Sequence, residues 1–396
     1  MYTLSGSSGA QVLDKYRIFD VARRGPHARA NNRTEFINVH TNPVIVVPVT
    51  AAGSIVLIRQ YREPLRRETI GLPAGRKDIM PSGRVEAPQR AALRELLEET
   101  GYTAPRAVCR PSGYSSPGLT NQIVDFTVAN MASPGNYRNP GGEHISATIE
   151  ASILESLRLI EQGEVAGVSA QNAIRDYAIM QLRRSAGAGR AVLSGAQQRV
   201  SNDWSSSMES PRQVGAGRIF RYSGFSVRVE RWMINSMPKE RDIVESPNIV
   251  APLAATESGR LLLIKVHRPA VGADLWELPS TQVGRRAGSA SCASAALGCL
   301  SNVAGQLGLG VVGKPKAWPA SYSMNGMATE MVHNLYIKIS SSSHAPRRDP
   351  ACPATMLVGW DTALWMIEHG RIVDQKTQNA IRAFGLTRLL APSNWA

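Results

Sequence analysis

The feature that most constrains this 396-residue chain is that it repeats itself. "IVLIRQYREP" (55–64) matches "LLLIKVHRPA" (261–270), and "IGLPAG" (70–75) matches "WELPST" (276–281), both at an offset of 206. "GYSSPGLTNQIVDFTV" (113–128) echoes "SYSMNGMATEMVHNLYI" (321–337). "IEQGEVAGVSAQNAIRDY" (160–177) matches "IEHGRIVDQKTQNAIRAF" (367–384) at an offset of 207, with QNAIR identical in both. Order and spacing kept over four blocks point to a duplicated domain. Each copy reads as strands, a loop, one helix of about 14 residues, more strands and a closing helix, an α/β arrangement with a mixed sheet between helices. The expected organisation is a first domain over 1–182, a flexible Gly/Ser/Ala-rich linker over 183–217 and a second domain over 218–396.

The longest apolar runs, "PVIVVPV" (43–49) and "RLLLIKV" (260–266), are strand-length and far short of the ~20 residues that cross a bilayer, so no membrane partner is expected. The four cysteines show neither zinc spacing nor a disulfide framework, which favours a reducing, intracellular compartment. An Arg- and Ser-containing amino end interrupted by Asp14 and Asp20 leans weakly toward mitochondria over cytoplasm. Net charge is +14, and 218–396 holds 20 basic against 12 acidic residues. That surplus fits either a phosphate-rich partner or a genome that favours Arg.

In the first copy, "AALRELLEET" (91–100) consists of good helix formers, with Pro88 at the first turn and Gly101 as the stop. Helical spacing places Glu95, Glu98 and Glu99 on one face and turns Leu93, Leu96 and Leu97 toward the core. Carboxylates at i, i+3 and i+4 repel by about 0.2–0.5 kcal/mol per pair, so a cation belongs among them. Hard oxygen ligands in a row suit Mg²⁺ or Mn²⁺. Arg94 is placed to brace Glu98 one turn on.

Together with "GLPAG" (71–75) and Glu86, this stretch resembles the Nudix box, G-x5-E-x7-R-E-U-x-E-E-x-G-U with U apolar, and Glu86 to Tyr102 fit its spacing. "SSPGLTN" (115–121) is similar to the segment that follows the box in ADP-ribose and ADP-sugar pyrophosphatases. Two departures stand out: ten residues, "RKDIMPSGRV", separate Gly75 from Glu86 where the family has five, and Gly71 stands where relatives often carry an acid. The resemblance implies tandem Nudix domains, α/β/α sandwiches packed as a pseudo-dimer. It also implies Glu95 and Glu99 as main metal ligands, with Glu98 and the Ala74 carbonyl assisting. Glu143, in "GGEHI", corresponds to the loop that supplies the family's general base, and it equally suits a solvated turn. Arg62 resembles a position near the substrate diphosphate, although its retention as Arg268 equally suits a structural or anion-binding role.

Aligning "AALRELLEETG" with "AALGCLSNVAG" (295–305) puts Gly298 for Arg94, Cys299 for Glu95, Asn302 for Glu98 and Val303 for Glu99, so the second copy has lost every charge of the box. Within the resemblance, such a copy serves as a permanent partner. Phe36, Phe225 and Trp232 could then stack on the substrate's base, or simply pack in a core. The expected activity is metal-dependent cleavage of a nucleoside diphosphate linked to another moiety, with a nucleotide or nucleotide-sugar as substrate. The alternative is an RNA-associated protein, either processing RNA 5′ ends or scaffolding a multiprotein complex. In that case Arg285 and Arg286, with Arg347 and Arg348, would contact phosphate.

Overall fold

A computed structural model of the chain describes residues 10–24, 34–135, 144–184, 199–203, 208–341 and 354–390. The β-branched runs of the sequence become strands, as their packing on a pleated, buried surface favours. In chain order the first half contains β1 (Ala10–Lys15), β2 (Phe19–Arg24), β3 (Thr34–Val39), β4 (Pro43–Thr50), β5 (Ile55–Arg62), β6 (Arg67–Gly71) and β7 (Ala74–Arg76). Helix α1 (Pro88–Thr100) follows, then β8 (Tyr102–Thr103), β9 (Ala107–Tyr114), β10 (Ile123–Pro134), β11 (Ile145–Ala151), α2 (Ile153–Glu161) and α3 (Val168–Arg184). Next come β12 (Arg199–Asp203), β13 (Arg212–Gln213), β14 (Arg218–Arg221), β15 (Ser226–Ile234) and β16 (Met237–Glu245). The remainder is β17 (Asn248–Thr256), β18 (Arg260–Arg268), β19 (Ala273–Glu277), β20 (Thr281–Val283), α4 (Ser289–Gly305), β21 (Leu309–Ala317), β22 (Ser321–Tyr322), β23 (Met331–Ser341), β24 (Ala354–Gly359), α5 (Trp360–Glu368) and α6 (Gln375–Leu390).

Two large sheets share one central pattern. The first runs β11-β5-β4-β10 and the second β24-β18-β17-β23. In each, the pair β4/β10 or β17/β23 is parallel while the strands around it are antiparallel, so both sheets are mixed. Smaller antiparallel sheets precede each, β1-β2-β3 before the first and β13 to β16 before the second. One face of the first sheet packs on α1 through Val44, Val46, Val56, Ala92 and Leu96. Cys292, Ala296 and Leu300 of α4 do the same in the second. The opposite faces merge into a single apolar core that contains Leu57, Ile149 and Ile174 from one half and Leu263, Ile381 and Phe384 from the other. Among the described residues, no helix is long and apolar enough to cross a membrane.

Between the halves α3 and α6 pack on each other, and the identical QNAIR segments meet in reciprocal hydrogen bonds. Asn172 Nδ2 donates to Gln378 Oε1 at 2.8 Å, and Asn379 Nδ2 donates to Gln171 Oε1 at 3.0 Å. Arg175 donates to Asn379 Oδ1 at 2.6 Å, while Arg382 donates to Asn172 Oδ1. The amides of Gln171 and Gln378 each reach a carbonyl of their own half and one of the opposite half. All of these side chains are buried, and a buried polar group left without a partner costs about 1–3 kcal/mol, so the six act as a set. Tyr16 and Tyr222, 206 positions apart, meet each other with hydroxyls at 2.6 Å.

Within 183–217 the described residues include some regular structure. Arg183 and Arg184 complete α3, β12 adds to the first sheet by pairing with β11, and β13 pairs with β15. Val200 is the one apolar side chain that Arg199–Asp203 and Arg212–Gln213 contain, too little alternation to read as strands.

Candidate active site

Helix α1 starts with Pro88 in its first turn, behind an extended Ala87 that offers no side-chain cap. It ends where Gly101, at φ 73°, takes the left-handed conformation and donates its N–H to the Leu97 carbonyl. Leu96 is fully buried beneath the helix and contributes about 1.5–3 kcal/mol by its burial. Glu95 and Glu99, one turn apart, are also buried, at 8% and 6% exposure. Buried carboxylates are tolerated only when paired.

Arg94 does the pairing. Its Nη1 donates to Glu95 Oε1 at 2.7 Å and to Glu98 Oε2 at 3.1 Å, and its Nη2 donates to Glu86 Oε2 and to the Arg76 carbonyl, both at 3.0 Å. Burial alone would raise the Glu86 carboxyl, but hydrogen bonds from Arg94 and from the Asp78 amide outweigh it and hold the group below its ordinary range. Burial works against the Arg94 charge as well, yet Glu86 and Glu95 push its proton affinity up. Glu99 is held separately, by the Ala74 amide donating to its Oε2 at 2.8 Å.

The enlarged loop before the helix folds into a small hairpin instead of disturbing the box. Ile79 bridges Val85, Met80 N donates to Arg84 O at 2.8 Å, and Gly83 turns the chain at φ +74°. Glu86 N then donates to Asp78 O at 2.8 Å, which returns Glu86 to the side of Arg94. At the foot of the hairpin Lys77 pairs with Asp125, which also accepts from Ser112 Oγ at 2.8 Å.

Gly75 shows how tightly the carboxylates are cradled. A Cβ built there would lie 2.1 Å from Glu95 Oε1 and 2.2 Å from its carboxyl carbon, so any side chain at this position has to displace the Glu95 carboxylate from where it lies. Among the described residues no three His, Cys, Asp or Glu side chains already form a closed cage. Mg²⁺ does not need one, because it binds through one or two carboxylates, water and substrate phosphate, and the all-oxygen donors Glu95, Glu98, Glu99 and the Ala74 carbonyl fit such a hard cation.

Residues 39–173 match the family model of the NUDIX domain, and this span holds the whole acid cluster. A 156-residue stretch is 33% identical to the ADP-ribose pyrophosphatase of Bacillus subtilis (strain 168), covering 39% of this chain and 79% of that protein. The chain belongs to the Nudix family. It is accordingly a hydrolase that acts on pyrophosphate bonds. The ADP-sugar pyrophosphatase of Mus musculus is 39% identical over 87 residues, 21% of this chain and 37% of that protein. A solved structure described as an ADP compounds hydrolase superposes with a TM-score of 0.38 at 19% identity, over 45% of this chain and 93% of that one.

Around this Nudix box the other expected residues fall in different places. Arg62 ends β5, and its Nη1 lies 3.3 Å from where a Cβ on Gly326 of the second half would stand. Its Nε is buried without a hydrogen-bond partner among the described residues. Phe36 does not serve as a stacking platform: it is 0% exposed, packed on Ala22 and Ala270, with the Arg24 guanidinium 5.4 Å from its ring centre. Trp232 is buried too, with the Arg66 guanidinium 5.9 Å from its ring. Glu143, Arg347 and Arg348 lie outside the described residues. Arg285 and Arg286 sit in the turn before α4, with Arg285 donating to Glu245 at 3.2 Å.

In the second half, Cys299 of α4 is desolvated and its thiol is pushed up to about 11, while Asn302 is exposed and Val303 buried. Thr281 occupies the place of Gly75. Sequence reasoning passed over Gly75, although the signal was there: where Glu95 becomes Cys299, the glycine that accommodates its carboxylate becomes Thr281.

Proposed function

We propose that the first half hydrolyses a nucleoside diphosphate linked to another moiety, of the ADP-ribose or ADP-sugar class, and that the second half is its built-in partner. The observation that carries this reading is the Arg94 guanidinium holding Glu86, Glu95 and Glu98 while Gly75 lies on Glu95. Glu95 and Glu99, with Glu98 and the Ala74 carbonyl, would hold Mg²⁺ or Mn²⁺. When bound, the cation supplies charge neutralisation at the phosphate oxygens and a lowered pKa for the attacking water.

The protein's own residues do the rest. Arg94 fixes the carboxylates in advance, so no reorganisation is needed as charge develops. Arg62, with an unpaired Nε, offers a guanidinium to the diphosphate. Glu143 is assigned the removal of a proton from water. Support for the fused partner comes from the matching strand orders, the shared core and the reciprocal QNAIR contacts. The test is a hydrolysis screen with Mg²⁺ over ADP-ribose, ADP-sugars, dinucleotides and 5′-triphosphorylated RNA, repeated with EDTA. ADP-ribose or an ADP-sugar is expected to lead, and EDTA to abolish turnover. Turnover confined to RNA would replace this substrate class.

A second reading, attachment to RNA, draws on β14, where Arg218, Ile219, Phe220 and Arg221 are all exposed and Arg221 lines one hollow with Arg285. Basic side chains interleaved with an aromatic suit a single-stranded backbone. A salt titration of RNA affinity for the wild type and an Arg218→Ala, Arg221→Ala, Arg285→Ala variant decides it, because equal affinities and slopes exclude this surface.

A further inference from the structure

The second half has no acid box, yet it keeps a cavity of about 290 Å³ beside the retained Arg268. The cavity is closed by the first half, whose Ser115, Ser116 and Gly118 form one wall against the second half's Phe225, Arg268 and Thr281. Gly118 packs so closely that a Cβ there would lie 3.3 Å from Arg268 Nη1.

The two cations that line this cavity, Arg268 and Lys376, are already paired with carboxylates, which separates it from the hydrolytic site. Arg268 donates to Glu277 through Nε at 2.9 Å and Nη2 at 2.6 Å. Lys376 donates to the same Glu277 at 3.0 Å and stands 2.8 Å from Asp374. Glu35 is paired with Arg23 at 2.6 Å and accepts from the Ser223 amide at 2.7 Å. Glu277 holds the same register position as Gly71, opposite Ile264 as Gly71 is opposite Ile58. The first half thus leaves Arg62 without that acid, while the second half neutralises Arg268 with it. A diphosphate entering here would find no uncompensated cation, and breaking a buried ion pair to free one is costly.

What the walls do offer is hydroxyls and one aromatic surface. Ser115, Ser280 and Thr281 line the space. Glu330 joins them as a buried carboxyl that accepts from Ser116 Oγ at 2.7 Å and Ser246 Oγ at 3.4 Å. Groups that donate and accept at short range, beside the Phe225 ring, match a ring bearing several hydroxyls. The volume sits at the lower edge of the ~300–1,000 Å³ usual for small-molecule sites, which suits a nucleoside or a single sugar better than a dinucleotide.

We propose that this cavity binds an uncharged polyhydroxylated ring, the ribose of a nucleoside or a free sugar, and holds it without cleavage. The site is built independently of the proposed hydrolysis, and it would stand if the first half acted on another substrate class.

The test is calorimetric titration of the full chain in EDTA with adenosine, uridine, ribose and AMP. Wild type is compared with Thr281→Trp, which fills the cavity, with Glu330→Gln, which changes its hydrogen bonding, and with Glu95→Gln. One saturable site for adenosine or ribose is expected, weakened by about tenfold or more in the two cavity variants and unchanged in Glu95→Gln. Binding of ribose as well as adenosine identifies a sugar site; binding of the nucleosides alone identifies a nucleoside site. Should Thr281→Trp fail to fold, Glu330→Gln still decides the question. The proposal is overturned if none of the uncharged ligands saturates, if their binding ignores both cavity variants, or if AMP displaces adenosine from this cavity by binding more tightly.

Discussion

Gly75 and Glu86 show how much of this site rests on single atoms. Adding one methyl at Gly75 puts a Cβ 2.1 Å from Glu95 Oε1, so Gly75→Ala must move the carboxylate that Arg94 holds. We expect its kcat to fall by about 100-fold or more, as a misplacement of order 1 Å does, with the melting temperature nearly unchanged. A kcat close to wild type would show that the carboxylate is free to shift. For Glu86, the pKa is held below its ordinary 4.5 in the folded chain. Its contribution to stability is therefore complete above that value and is lost as pH falls through the folded pKa. Glu86→Gln should melt below wild type at pH 7, and the gap should close as pH falls through the lowered folded pKa of Glu86. A gap that stayed constant with pH would place the effect in packing instead of charge.

At the scale of elements, the extent of α1 was legible because Pro88 and Gly101 each carry a local cause, but its faces were less so: of the three leucines expected in the core only Leu96 is buried, and Glu95 and Glu99 are buried with it. The hairpin over 76–85 was visible only as extra length, since its order comes from Asp78 and Arg94, which meet through the fold. The burial of Phe36 was equally unreadable: an aromatic at a strand position looks alike whether the neighbouring half covers it or not, and here Ala270 does. The repeat was visible as QNAIR identity, but its cause, two helices each reading the other's amides, needed the α3/α6 contact. Asn172→Ala should cost about 1–3 kcal/mol, since Gln378 loses a donor and Arg382 an acceptor in a buried place. Combined with Asn379→Ala, the two losses should be non-additive in urea unfolding, and strict additivity would contradict a shared network.

For the whole molecule, one core draws Leu57 and Ile174 together with Leu263 and Phe384, and a shared core of this kind should make both halves unfold as one unit. Scanning calorimetry should show one transition, while two well-separated transitions would mean that the halves unfold independently. Within the molecule the acids are unevenly placed: the first half holds Glu95 and Glu98 on Arg94 with Glu99 beside them, and the aligned positions of the second are Cys299, Asn302 and Val303, so the proposed chemistry belongs to the first half. The most direct test of this division is steady-state hydrolysis of ADP-ribose with Mg²⁺ by the wild type and by Glu95→Gln, Glu99→Gln. The double variant should keep its melting temperature and lose activity by about 1,000-fold or more, whereas wild-type turnover in it would place the hydrolytic site elsewhere in the chain.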